Sequence, residues 1–351
     1  MDRGRTRNGL RNCSGVAQVM QSAHSVTLVI PARDAEATIE QCLRSVIAIK
    51  AQDDSSLMSI ILVDDGSCDE TTDIARRLDV IVMTGTGRGA AAARNIGWRA
   101  ASTDLVWFID ADCVADVNAL NTLLPHLVDT TVAAAGGTYD ISSDASLLQR
   151  LIHEEIKVRH AKMPVGVDFL ATFDVLYRRS VLESLHGFDE RYLKGQDAEL
   201  AFRVIEAGHN LHFEQRSIVL HHHADSIWRY LRVQQQQGYW RVALHLEHRG
   251  RERTNSYSNV IDHAQPFVAT LIPIAALLSV VLTRWWLVMI PITALLLLQL
   301  PMAVAMARRA GLAMLTFVVL GTVRAGYRAT GMWAGVIDRV LSHPTALEKK
   351  P

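Results

Sequence analysis

The sequence predicts an α/β fold with a mainly parallel central sheet, followed by a C-terminal α-helical membrane region. Three observations predict it. Four short apolar runs, at 26–30, 60–63, 80–83 and 105–109, read as buried parallel strands, and segments of helical apolar spacing separate them. Three strand exits carry Arg33-Asp34, Asp64-Asp65 and Asp110-Ala111-Asp112, where ligands of doubly wound sheets gather. The composition then changes near residue 265: from Pro266 to Ala307 the only charged residue is Arg284.

Taken in order, VTLVI at 26–30 forms the first strand and stops at Pro31. Ile39, Leu43, Val46 and Ile47 recur at helical spacing and predict a helix lying on the sheet. IILV at 60–63 is the second strand; Ser67 with Glu70 three residues later reads as a capping box that starts a helix. VIVM at 80–83 leads into the glycine-rich TGTGRG at 84–89 and an alanine-rich helix over about 90–101. LVWFI at 105–109 closes on Asp110-Ala111-Asp112, and Val117, Leu120, Leu124 and Leu127 mark one more helix. Alternation of strands and helices gives the parallel sheet.

The helices beyond residue 265 are long enough to span a bilayer. Residues 266–283 extend about 27 Å and 285–306 about 33 Å at ~1.5 Å per residue, against a hydrocarbon core about 30 Å thick. Trp285 and Trp286 beside Arg284 suit an interface. A third apolar segment, 312–337, carries Arg324 and Arg328 mid-run, which costs free energy at bilayer depth unless the arginines are paired or snorkel. Arg249, Arg251 and Arg253 before the first span and Arg308 and Arg309 after the second place both flanks in the cytoplasm by the positive-inside rule. Residues 226–247 mix aromatic, arginine and glutamine residues at helical spacing, as in a helix lying at the membrane interface over the site. The domain plan is a disordered basic tail at 1–24, an α/β domain at 25–225, the interfacial helix and linker at 226–265, the membrane region at 266–337 and a tail at 338–351.

Lys plus Arg and Asp plus Glu each number 36 in 351 residues, so no net field draws nucleic acid to the chain. Cys13, Cys42, Cys68 and Cys113 form no C-x-x-C pair, which argues against a disulfide scaffold or a thiolate zinc site and fits a reducing compartment. Asp110 and Asp112, two apart at a strand exit, suit a hard divalent cation, Mg2+ or Mn2+, shared with substrate phosphates. Such an ion neutralises charge developing on a departing diphosphate.

Six ordered segments resemble the family-2 glycosyltransferases of the GT-A fold, over about 26–240. They are VTLVIPARDAEATIEQCLRSV, ILVDDGSCDET, GRGAAAARNIG, FIDADC, TFDVLYRRSVLESLHGFDERY and GQDAELAFRVIEAGHNL. The resemblance implies that Pro31, Arg33 and Asp65 lie against the base and ribose of a nucleotide-sugar donor. It places Arg88, Arg94, Asn95 and Asp110 near that donor, with Asp110 and Asp112 holding the metal. It makes Asp197 the catalytic base, which removes the acceptor hydroxyl proton during an inverting attack. His221 and His223, on one face of an extended chain, are the histidines that can meet metal or diphosphate. Two positions depart from the family pattern: Gln196 stands where a Glu is usual, which lowers the expected basicity of Asp197, and Asp174 stands where many relatives have Asn.

The expected activity is transfer from a nucleotide diphosphate sugar, a UDP-sugar by the base-site resemblance, to an acceptor hydroxyl at the cytoplasmic membrane face. The expected acceptor is lipid-linked or a growing glycan of the cell envelope, and membrane lipid is a partner. A processive polysaccharide synthase is the alternative enzyme, although its Q-x-x-R-W motif is replaced by Gln237-Gly238-Tyr239-Trp240-Arg241. A sugar nucleotidyltransferase would need glycine close behind the first strand, and residues 31–40 have none. A non-catalytic membrane scaffold would not need the full set of acidic motifs.

Overall fold

The computed structural model describes residues 25–78, 80–141, 144–248 and 256–341. The expected tail at 1–24, residues 342–351 and Arg249, Arg251 and Arg253 lie outside the described residues.

Strands β1 (Val26–Ala32), β2 (Leu57–Asp64), β3 (Ile81–Thr84) and β4 (Leu105–Ile109) lie side by side and parallel in the order β3-β2-β1-β4. Alternate residues serve opposite layers, as a pleated strand requires. Leu28, Ile30, Leu62 and Trp107 pack with Ile39, Cys42, Leu43 and Val46 of helix α1 (Ile39–Lys50). Val29, Ile61, Val63 and Phe108 pack with Ala91, Ala93 and Trp98 of helix α3 (Ala90–Ala100) on the other face. Pro31 does not end the first strand, because β1 keeps its parallel register through Ala32.

Two helix expectations are corrected. Helix α2 (Thr71–Arg77) starts after Glu70 with no side-chain cap, so there is no capping box. The Ser67 hydroxyl instead accepts from the Asp34 amide at 2.9 Å, tying the loop after β2 to the loop after β1. The segment with Val117 and Leu127 is a short helix α4 (Ala119–Leu123) running into a 3-10 turn at Leu124–Val128, with Pro125 at its start, and Val117 is exposed.

The remaining strands are β5 (Cys113–Ala115), β6 (Val132–Asp140), β7 (Gly166–Val167), β8 (Asp174–Arg178) and β9 (Asn210–His221). β8 is antiparallel to both β4 and β6, β9 is parallel to β6, and β5 and β7 are antiparallel to β9. The sheet is therefore mixed: β1–β4, β6 and β9 share one direction while β5, β7 and β8 oppose it. Helices α5 (Leu147–His160), α6 (Arg179–Ser184) and α7 (Gln196–Glu206) complete the α/β domain.

Helix α8 (Ile227–Glu247) follows, then α9 (Val260–Val281), α10 (Met289–Ala310, after a 3-10 turn from Trp285) and α11 (Phe317–Leu341). Three segments, 260–281, 285–310 and 312–341, are long and apolar enough to cross a membrane, with mean hydropathy 1.9, 2.2 and 1.2. The third runs to Leu341, past the expected boundary at 337. Its low hydropathy has a structural cause. α11 presses backbone to backbone on α8, where Gly331 lies so close to the Gln235 carbonyl that a Cβ would stand 1.9 Å from it. Arg324 bonds Glu155 of α5 and approaches Tyr230 Oη at 3.4 Å, and Arg328 bonds Gln234 at 2.9 Å. The two arginines face the α/β domain and α8, so their charge is met by protein. Arg159 closes the set: it bonds Glu155 at 2.7 Å and grips Asp262 of α9 at 2.7 and 2.8 Å. Burial would raise the Glu155 carboxyl, but Arg324 and Arg159 outweigh it and hold it down to about 2.

Candidate functional site

The site is assembled at the exits of β2, β1 and β4, which end side by side. Asp65 is buried just past β2, and its amide continues the ladder by donating to Ala32 of β1 at 2.8 Å. Its carboxylate accepts from the amides of Gly87 and Gly89 at 2.8 and 2.6 Å. Aiming two amides on either side of Arg88 at one carboxylate uses positive φ at both glycines, +71° and +98°, which glycine adopts without strain. Gly85 leaves no room either: a Cβ there would sit 2.8 Å from Asp65. The glycine run is thus cut to fit Asp65. Pro31 lies in β1 and Arg33 is exposed on the following loop, 3.8 Å from Asp34. That loop holds Asp34 at φ +49°, braced by its bonds to Ser67 and the Cys68 amide.

Arg94, one turn into α3, is 3% exposed and donates to Asp110 at 2.6 Å, while its Nε and Nη1 are buried without an acceptor. A buried guanidinium with two unsatisfied donors is costly, and carboxylates on either side offset it: Asp110 directly, and Asp197 through space. Burial raises the Asp197 carboxyl, partly offset by the Ala198 amide and Arg94. Burial therefore favours the protonated form of Asp197 and makes its carboxylate more basic. The Gln196 Oε1 is buried without a partner.

Asn95 is buried and builds the wall: it donates to the Phe188 carbonyl at 2.8 Å and to Glu190 at 2.9 Å and accepts from the Phe188 amide. Arg88, exposed at the rim, also reaches Glu190 at 3.0 Å. Glu190 therefore links Arg88 and Asn95 across the cleft, a role that the Gly-Phe-Asp-Glu turn concealed in the sequence. Tyr139, another residue not singled out, stacks on Phe173 and lies 4.7 Å, ring to ring, from His221.

Asp112 and His221 meet on the far side of Asp110. Antiparallel pairing of β5 with β9 sets Cys113 opposite His221 and brings His221 Nε2 to 3.5 Å from the Asp112 carboxylate. Burial raises the Asp112 carboxyl and His221 opposes that rise. His223 stands behind: its Nδ1 is 2.8 Å from Nδ1 of His221, and its Nε2 is buried without a partner. Burial pushes His223 down to about 2, so it is neutral. Metal binding at His221 Nε2 requires the proton on Nδ1, which then donates to His223. In that arrangement His223 would steady the His221 ring from behind. Likewise Asp110 has one oxygen committed to Arg94, so Asp112 and His221 are the freer ligands. These residue types fit a divalent cation.

Asp174, the second departure from the family pattern, is no part of this cleft. It is buried under the sheet, accepting from Trp107 Nε1 at 2.8 Å and from Ser217 Oγ at 2.7 Å.

An α/β sheet edge bearing Asp65, the glycine loop, the D-x-D carboxylates and a helix-borne aspartate has the architecture of a GT-A domain, here joined to helices of membrane-spanning length. Residues 27–185 match the family model for glycosyl transferase family 2. The chain is 30% identical over 213 residues to the pre-mycofactocin glycosyltransferase of Mycobacterium tuberculosis (strain ATCC 25618 / H37Rv), covering 58% of this chain and 43% of that protein. It is 26% identical over 219 residues to the O-antigen chain rhamnosyltransferase RfbN of Salmonella typhimurium, covering 56% and 66%. The match thus spans less than half the length of the first relative and under two thirds of the second. Among solved structures, the mannosyltransferase PcManGT from Pyrobaculum calidifontis, in complex with GDP-Man and Mn2+, has a TM-score of 0.59 at 19% identity, covering 90% of this chain and 88% of that one. That likeness is one of fold.

Proposed function

We propose that this chain is an inverting glycosyltransferase that moves a sugar from a nucleoside diphosphate donor, a UDP-sugar, to an acceptor hydroxyl at the cytoplasmic face of the membrane. The acceptor is a lipid-linked or growing glycan of the cell envelope. The observation that carries the reading is Arg94, a buried cation bonded to Asp110 at 2.6 Å and acting through space on Asp197. One side of that cation suits a departing diphosphate and the other a base.

Asp197 takes the proton of the acceptor hydroxyl, the hydroxyl oxygen attacks the anomeric carbon, and the bond to the diphosphate breaks on the opposite face. Burial that raises Asp197 strengthens it as a base while a working pH above its pKa keeps it ionised. Arg94 offsets negative charge as the diphosphate leaves. Asp112 and His221, with the free oxygen of Asp110, would hold Mg2+ or Mn2+, which supplies further charge neutralisation there. Asp65 is an acceptor-only carboxylate, which suits the imino N–H of uracil and disfavours cytosine, whose ring nitrogen carries no hydrogen there. The spans at 260–281 and 285–310 form a hairpin with Arg284 at its turn, which supports keeping the α/β domain and both flanks on the cytoplasmic side.

The test is a donor screen with Mn2+, reading thermal stabilisation and then transfer. UDP and a UDP-sugar are expected to stabilise the chain, and Asp197→Asn to keep that stabilisation while losing turnover. Turnover by Asp197→Asn removes it from the base role; no response to any nucleoside diphosphate defeats the reading as a whole.

A further inference from the structure

The strand register places a thiol beside the cation ligands. Cys113 is the first residue of β5 and sits directly opposite His221 in an antiparallel pair. Opposed residues in such a pair project from the same face with Cβ atoms about 5 Å apart. One ligand atom each from Asp112, Cys113 and His221 lie within 4.8 Å of one another. Cys113 is fully buried while Asp112 and His221 are half-buried, so the thiol forms the floor of a seat whose rim opens outward. The spacing of cysteines in the sequence argues against a thiolate zinc site, yet pairing across strands supplies sulfur, nitrogen and oxygen from residues 108 positions apart.

We propose that Cys113 makes this seat selective for thiophilic dications, so that Zn2+ or Cd2+ is captured by Asp112, Cys113 and His221 and displaces Mg2+ or Mn2+. The proposal rests on the reading above that Asp112 and His221 hold the working cation. Carboxylate, thiolate and imidazole are the ligand types of tetrahedral zinc. In such a centre sulfur and nitrogen stand about 3.6 Å apart, from bonds of about 2.3 and 2.0 Å, so closure needs movements of at most about 1 Å. On binding, the Cys113 S–H proton leaves to solvent and a metal–sulfur bond forms, with no change of oxidation state. The fourth position is left to water or a diphosphate oxygen. Mg2+ and Mn2+ prefer oxygen ligands and do not recruit the sulfur, so for them Cys113 is only a wall. Thiophilic ions therefore inhibit transfer by holding the seat in a four-coordinate, sulfur-bound form.

The experiment uses the full chain with Cys13→Ser and Cys68→Ser, which leaves Cys42 and Cys113. Zinc X-ray absorption of this protein is expected to show one sulfur at about 2.3 Å with nitrogen or oxygen at about 2.0 Å. Cd2+ titration is expected to produce a thiolate-to-metal ultraviolet band, lost in Cys113→Ser and kept in Cys42→Ala. Mn2+ binding by paramagnetic resonance is expected to survive in Cys113→Ser, while Zn2+ displaces that Mn2+ at least about tenfold less well. A zinc shell of nitrogen and oxygen alone, a Cd2+ band that persists without Cys113, or unchanged displacement by Zn2+ overturns the proposal. The absorption measurement needs no substitution in the core. A sulfur-bound ion in a chain that turns over no nucleotide sugar keeps the thiolate seat and sinks the transferase reading, so the two failures are told apart.

Discussion

Asp174→Asn should stabilise this protein near neutral pH, an unusual direction for a change at a fully buried position. Burial raises the Asp174 carboxyl from 3.8 to about 6, against the pull of its bonds from Ser217 and Trp107. In the unfolded chain the group titrates near its ordinary value, so between about pH 4 and 6 the folded protein holds a proton that the unfolded one lacks. Stability contributed by the neutral carboxyl is therefore present at low pH, falls as pH rises through that window, and stays lost above it. The two-unit shift at about 1.4 kcal/mol per unit sets a limit of about 3 kcal/mol. Asparagine keeps the bonds and removes the charge: its Oδ1 accepts from Trp107 as before, and its amide donates to Ser217 Oγ. That frees the Ser217 hydroxyl hydrogen for the Ala119 carbonyl, 3.1 Å away, which competes with Asp174 for it in the native chain. Thermal unfolding in detergent, followed by tryptophan emission from about pH 5 to 8, should show a gap in favour of the variant that widens as pH rises and levels off above about 6. A variant no more stable than the parent near neutrality, or a gap independent of pH, refutes the reasoning.

Other perturbations test separate contacts. Gly137→Ala would put a Cβ 2.0 Å from the Asp174 carboxylate and 2.6 Å from the Ser217 carbonyl; the backbone must shift, and a loss of more than about 2 kcal/mol is expected in the same unfolding assay. Arg324→Met strands Glu155 beside a single remaining guanidinium, and a loss of about 3–5 kcal/mol is expected for breaking a buried pair, with part of it recovered by adding Glu155→Gln. Gly331→Leu should pry α11 from α8, read as a lower thermal unfolding midpoint in detergent, whereas the same change at Gly326, where a Cβ meets nothing within 4 Å, should leave the midpoint nearly unchanged. Gly87→Ala strains a φ of +71° and disturbs an amide bonded to Asp65, so nucleotide affinity should fall about tenfold or more with little change in stability.

The parallel half of the sheet was legible because β1, β2 and β4 are buried along most of their length and so read as unbroken apolar runs, whereas β3, expected to be buried, is the sheet edge with Ile81 exposed. The mixed half, where β8 runs against both β4 and β6, was not legible. β6 is VAAAGGTYD, small residues chosen by close approach: a Cβ on Gly136 or Gly137 would collide with Leu170 or Asp174. Nothing local in such a run marks it as central. The site divides in the same way. Asp65, Asp110 and Asp112 announce themselves at strand exits, whereas Glu190 and Tyr139 act through partners roughly a hundred residues or a strand away, which no spacing rule reports. Pairing His221 and His223 on one face followed from strand geometry, but which of them faces Asp112 depended on the β5–β9 register.

The third apolar helix shows how one segment can satisfy two solvents. Its mean hydropathy of 1.2 suffices for a span, yet Arg324 and Arg328 would be expensive against lipid. The structure turns that stripe toward α8 and α5, where Glu155, Gln234 and Gln237 receive the guanidinium groups. Arg159 then carries the link to Asp262 on α9, giving two buried cations and two buried anions that join the α/β domain to two membrane-length helices. Helix α5 reaches in the other direction as well: Gln149 near its start donates to the His223 carbonyl at 3.1 Å. One helix thus connects the histidine behind the candidate cation seat to the charges that tie down the membrane-length helices. Because unpaired charge in that seam costs far more than a surface contact, the network favours one docking of the α/β domain on its membrane-length helices.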